Sequence, residues 1–243
     1  MAGHNKWSKI KNKKGKEDAK RAKEFTKLGR AIIVAVRSGG ENPDYNPALK
    51  TAIEKAKSIN MPNDNIQRAI KKGTSDLSGD NYEEITYEGY GPSGIAVIVE
   101  CLSDNRNITA ADVRHAFDKF GGNLGTNGSV VFMFDHCGVL VIDSSKADED
   151  KLMLDAMDAD VIDIKTEDGI TEIYTSIENF VNTQNILSNK GYVFEASEIM
   201  YIPKNYQKIT DENSRVLMEK LIDFLEDNDD VQEIYHNWEN YEE

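Results

Sequence analysis

The chain has 243 residues, 39% of them hydrophobic, with two cysteines and a formal net charge of −14; this permits two or three ordinary cores and excludes a disulfide-stapled scaffold. No run approaches the roughly 20 apolar residues that span a bilayer, and the opening MAGHNKWSKIKNKKGK lacks an apolar signal core, so a cytoplasmic protein without membrane contact is expected. The charge is divided: Met1 to Thr74 hold 18 Lys and Arg against 7 Asp and Glu, a balance of +11, which leaves −25 on the rest.

The first predicted helix starts near Glu17 and Asp18, aligns Phe25, Leu28, Ile32 and Val36 on one face, and stops at Ser38-Gly39-Gly40. A second runs from Pro47, a first-turn proline, to Ile59; Leu49, Ala52, Ile53 and Ala56 face inward and Lys50, Lys55 and Lys57 face water. The third opens with Asn63 as cap, buries Ile66, Ala69 and Ile70, and closes at Gly73. Beyond a polar linker at Ser75 to Asn81 the period becomes extended: strands are predicted at Glu84 to Glu88 and Ile95 to Leu102. A helix follows, capped by Thr109 with Asp112 and directing Val113, Phe117 and Phe120 inward, and then a strand at Val130 to Phe134.

From Gly138 the order is strand (Val139 to Ile142), helix (Asp148 to Met157), strand (Val161 to Ile164), strand (Thr171 to Thr175), helix (Ile177 to Lys190) and strand (Tyr192 to Tyr201), with Asp168-Gly169 as a hairpin turn. This βαββαβ series is the ferredoxin-like plan. The last helix and the strand Val231 to Tyr235 cannot bury themselves alone, so they complete a second such unit begun upstream. The expected fold is therefore α+β and multidomain: a basic three-helix bundle (1–78), a discontinuous ferredoxin-like domain (79–135 plus 205–243) and a ferredoxin-like domain inserted into it (136–204).

Phosphate recognition is the chemistry the charge pattern suggests. Lys6, Trp7, Lys9, Lys11, Lys13, Lys14, Lys16, Lys20, Arg21, Lys23, Lys27 and Arg30 gather cations and one indole on an arm and the first helix, a surface for DNA or ribosomal RNA on which Trp7 can stack against a base. On the third helix Asn65, Gln67, Arg68, Lys71 and Lys72 lie outside the apolar stripe, and such side chains read base edges or bind phosphate. The acidic remainder is either a solvated face or a means of repelling nucleic acid and docking ribosomal or other basic proteins. Gly121-Gly122-Asn123-Leu124-Gly125-Thr126-Asn127-Gly128-Ser129 has no GK[ST] and follows a helix, so it reads as an ordered loop rather than a nucleotide cradle. The four histidines are scattered, Cys101 and Cys137 lie in strand-like runs, and no elbow, metal motif or cofactor fingerprint accompanies them. No catalytic residue, metal or cofactor is expected.

Three blocks, GHNKWSKIKNKKGKEDAKRAKEFTKLGRAI, NMPNDNIQRAIKKG and YEGYGPSGIAVIVECLSDNRNITAADVRHAFDKFGGNLGTNGSVVFMF, resemble the YebC family over essentially the full length. The resemblance implies a helical bundle with two α+β domains about a cleft and a nucleic-acid-linked regulator. Bacterial relatives are described as probable DNA-binding transcriptional regulators, others are linked to ribosomes stalled on proline-rich stretches, and the mitochondrial relative is a translational activator of cytochrome c oxidase. By position, the family's basic block falls on Lys6 to Arg30 and its second basic motif on Arg68 to Lys72. Gly15-Lys16 departs from the small residues relatives carry there, which places the helix start no earlier than Glu17.

Overall fold

A computed structural model describes residues 18–75 and 82–239, with residues 18–21 as backbone only. The bundle consists of α1 (Asp18–Gly39), α2 (Pro47–Ser58) and α3 (Asn63–Thr74). Its core is the apolar stripe of each helix, chiefly Ile32, Ile33, Val36, Leu49, Ala52, Ala56, Ile66 and Ala69, with Phe25 and Leu28 packed at its edge. Gly40, at φ 88°, ends α1 by donating its N–H to the Val36 carbonyl at 2.7 Å. Buried Asn46 then joins the two helices. Its Oδ1 accepts from Leu49 N–H at 3.1 Å, while its Nδ2 donates to the Ala35 and Gly40 carbonyls at 2.7 and 2.8 Å.

The structure departs from two local expectations. Pro62, not Asn63, stands at the N-cap of α3, and no side chain caps that end. Gly73 lies inside α3 rather than after it: a Cβ there would sit 2.7 Å from Val36 Cβ, so glycine lets α1 and α3 approach.

Residues of the bundle, those up to Met133 and those from Asn205 onward form one compact unit. Beyond the bundle this unit holds β1 (Glu83–Tyr90), β2 (Ala96–Ser103), α4 (Arg106–Lys119) and β3 (Asn123–Leu124), all ahead of the other unit in the chain. After it come the last helix, Glu212–Glu226, and the last strand, Val231–His236. The sheet runs β3, β1, β2, last strand, antiparallel throughout. Alternation along β2 sends Val97, Val99 and Cys101 into a core with Val113, Ala116 and Phe117 of α4 and Met218, Leu221 and Leu225 of the last helix.

The strand order is that of a ferredoxin-like sheet, but the inner strand β1 precedes the split pair in the chain instead of following it. The expected strand at Val130 to Phe134 is a 3-10 turn at Val131–Met133, because the Val130 and Val131 N–H groups are taken by a carboxylate rather than by a ladder. The split pair is closed by the two-residue β3 instead. Likewise Asn105, not Thr109, caps α4.

Phe134–Lys204 form the other unit: β4 (Phe134–Asp143), α5 (Glu149–Met157), β5 (Val161–Glu167), β6 (Ile170–Thr175), α6 (Phe180–Asn189) and β7 (Ala196–Pro203). The last helix and strand of the chain are thus α7 and β8. The sheet order β5, β6, β4, β7 is ferredoxin-like. Leu140, Ile142 and Ile173 pack on Leu152, Phe180 and Leu187. Asp168 and Gly169, at φ 48° and 80°, make the hairpin turn.

Candidate nucleic-acid interface

The bundle carries the basic residues, and the structure sorts them. Lys6, Trp7, Lys9, Lys11, Lys13, Lys14 and Lys16 lie outside the described residues, and Lys20 and Arg21 are on the first turn of α1. Lys23, Lys27 and Arg30, spaced on one stripe of that helix, turn toward the C-terminal end of α7 and the acidic segment after it. Lys23 pairs with the Asp227 carboxylate at the surface. Lys27 Nζ donates to the Glu226 carbonyl at 2.7 Å, an acceptor that the end of α7 would otherwise leave open. Burial lowers the Lys27 pKa, against the raising influence of Glu226, Glu233 and Asp229.

Arg30 is the most engaged of the three. Its Nη1 pairs with the Asp230 carboxylate and donates to the Asp229 carbonyl at 3.0 Å and the Leu102 carbonyl at 3.3 Å, while its guanidinium lies 5.3 Å from the Tyr82 ring centre. Asp230 Oδ2 in turn accepts from Thr109 Oγ1 at 2.6 Å. On α2, Lys55 is half-buried and 3.5 Å from Glu233, so it does not simply face water as expected. Lys23, Arg30 and Lys55 tie the bundle to the sheet domain through ion pairs, and Lys27 packs among them with its charge opposed by burial.

On α3 the expected face is open. Gln67, Arg68, Lys71 and Lys72 are exposed and Asn65 is half-buried. Arg68 donates to the Asn65 side-chain oxygen and, through Nε, to the Asp64 carbonyl at 3.3 Å, which holds the guanidinium along the helix. Beside α3 lies a groove of about 800 Å³ whose lining mixes Lys50, Lys57 and Gln67 with Glu41, Asp44 and Glu54. That mixed sign does not suit a polyanion.

Glu88 is an organising residue that sequence reasoning passed over. Its buried carboxylate accepts from the N–H groups of Gly128, Val130 and Val131 at 2.6, 2.8 and 2.8 Å. Burial alone would raise its pKa; the three backbone donors outweigh that and hold it below the ordinary value. Tyr90 Oη adds a bond to the Ser129 carbonyl at 3.1 Å. The glycine-rich segment is thus ordered, the short β3 followed by a loop pinned on Glu88, with Gly121 and Gly128 at positive φ. The signal available was an acid in a strand otherwise closing on apolar and glycine residues. Among the described residues no group of His, Cys, Asp and Glu is placed to hold a metal, and no helix is long and apolar enough to cross a membrane.

Comparison with known proteins adds an independent line. The model of the TACO1/YebC protein N-terminal domain matches residues 5–76, and that of the TACO1/YebC second and third domain matches residues 82–238. A "Probable transcriptional regulatory protein" of Finegoldia magna is 61% identical, covering 99% of this chain and all of that protein. One of the same name from Acetivibrio thermocellus is 52% identical over 98% of this chain and 99% of its own length. The crystal structure of a conserved hypothetical protein from Aquifex aeolicus matches with a TM-score of 0.80 and 42% identity, covering 93% of this chain and 94% of that one.

Proposed function

The chain belongs to the TACO1/YebC family, and from that premise we propose that it is a DNA-binding transcriptional regulator of the cytosol, not an enzyme. The observation that carries this reading is the charge division: +11 up to Thr74 against −25 beyond it. A polyanion is drawn to the first part and repelled by the second. With Lys23, Lys27, Arg30 and Lys55 engaged inside the unit, the cations that meet phosphate are those of the arm, Lys20 and Arg21, and the exposed Arg68, Lys71 and Lys72. Asn65, Gln67 and Arg68 are the side chains on α3 suited to base edges. Relatives named as transcriptional regulators support the same reading.

The test is a salt titration of full-length protein on promoter fragments and on random duplex. Preference for the promoter fragments at physiological salt is expected, with log K falling by about 0.9 per log unit of salt for each phosphate neutralised. Equal affinity for both duplexes overturns specific regulation through DNA.

The same charge division favours a second reading, a translation factor that meets ribosomal RNA with its basic bundle and basic ribosomal proteins with its acidic domains. Replacing Lys13, Lys14, Lys20 and Arg21 by Glu then sharply reduces co-sedimentation with ribosomes. An unchanged gradient profile overturns it.

A further inference from the structure

Helix α5 has an apolar face on each side. Leu152 and Ala156 enter the core of their unit, as a nine-residue surface helix requires. On the opposite arc Met153, Leu154 and Met157 remain 49, 67 and 81% exposed. Three large apolar side chains within five residues are a patch rather than scattered singles. Ile162, five residues on, is also exposed, at the bulge where β5 slips register against β6.

We infer that this outer face of α5 docks a cationic amphipathic segment of a partner protein. The charge around the face selects the partner. From Asp148 to Ile164 the chain holds seven acidic residues and one lysine, and Asp148, Glu149, Asp150, Asp158 and Asp160 are exposed. The lysine, Lys151, lies 6.0 Å from the Tyr192 ring centre. Lys190, at the C-terminal cap of α6, is taken by Asp155 and Asp158 at 2.9 and 3.1 Å. A field of that sign repels an anionic lipid surface and the same face of a second copy, and it attracts lysine- and arginine-rich chains. The apolar centre selects among those for segments that present leucine-like side chains along one side, to which methionines adapt.

Strand addition is not the mode. β5 is the edge strand nearest in sequence, but its bulge and its charged Asp163, Lys165 and Glu167 oppose pairing with an extended chain. The partner therefore packs side chain against side chain, helix to helix. This inference does not rest on nucleic-acid binding, since the surface lies in the other unit, and either reading can fail alone.

The test uses full-length protein and a fluorescein-labelled amphipathic peptide of leucine and lysine at physiological salt, followed by anisotropy. The control is the same peptide scrambled so that no apolar face forms. Binding at least about tenfold tighter than the scramble is expected, and Leu154→Ser with Met157→Ser removes about that factor, the loss of roughly one buried apolar anchor. Both positions being exposed, the thermal midpoint and duplex binding stay as in the parent. Equal binding of the scrambled peptide, or no loss in the double variant, overturns the inference. So does a concentration-dependent dimer abolished by the double variant, which assigns the face to a second copy, or binding to anionic vesicles.

Discussion

Removing the Arg30 guanidinium should loosen the bundle from the sheet domain before it affects any ligand. The Arg30 and Asp230 side chains are each 17% exposed, so the pair is largely desolvated. Arg30→Ala deletes one ion pair, two charge-assisted bonds to carbonyls and the contact with Tyr82, and leaves the Asp230 carboxylate with its bond from Thr109. Discounted for residual solvent and non-additivity, the loss is about 3 kcal/mol, or roughly 6–12 °C for a unit of this size. Trp238, 2% exposed in the core of that unit, reports the transition by fluorescence in a Trp7→Phe background. Arg30→Ala, Asp230→Asn and the double variant close a cycle, and a coupling of about 1–3 kcal/mol is expected. A coupling of zero would refute the mooring. So would an unchanged midpoint accompanied by a salt slope for duplex binding reduced by about 0.9, the mark of a phosphate contact.

Lys27→Met should be tolerated or slightly stabilising, because burial disfavours the ammonium and the methionine stem keeps the packing; urea unfolding measures it, and duplex affinity should not move. Glu88→Gln presents an amide to three backbone donors, costing about 1.5–3 kcal/mol and speeding hydrogen exchange at Gly128, Val130 and Val131. Since the folded pKa of Glu88 lies below its ordinary 4.5, its stabilisation is complete above that value and is lost as pH falls through it toward the folded pKa. Acid titrations of the parent should show that loss and those of Glu88→Gln should not. Cys101 and Cys137, whose thiols burial pushes up to about 12 and about 11, should resist iodoacetamide at pH near 8 and both alkylate once urea unfolds the chain, as read by intact mass.

Periodicity carried the bundle and the inserted unit, because apolar stripes and a two-residue turn such as Asp168-Gly169 are local facts. Where it failed, the deciding partner was distant. Thr109 looked like a cap, but its hydroxyl reaches Ser103 Oγ at 2.5 Å and the Asp230 carboxylate, while Asn105 caps the helix. Two residues of β3 are too few to show alternation. Lys23, Lys27 and Arg30 read as part of the basic block on the arm and first helix, and no local pattern shows that their acceptors lie about 200 positions later. The face of α3 was legible, since its inward stripe of Ile66, Ala69 and Gly73 fixes what remains outside.

The sheet beside the bundle is closed by β8, and the carboxylates and the carbonyl that receive Lys23, Arg30 and Lys27 stand just before it. A ribosome making this chain releases the cationic helices about 200 residues before their internal partners. Between those moments the growing polypeptide shows its maker a positive surface that the finished protein has partly neutralised. Contacts spanning so much sequence are slow to form, so bundle and inserted unit have time to fold separately before the sheet between them in sequence is sealed.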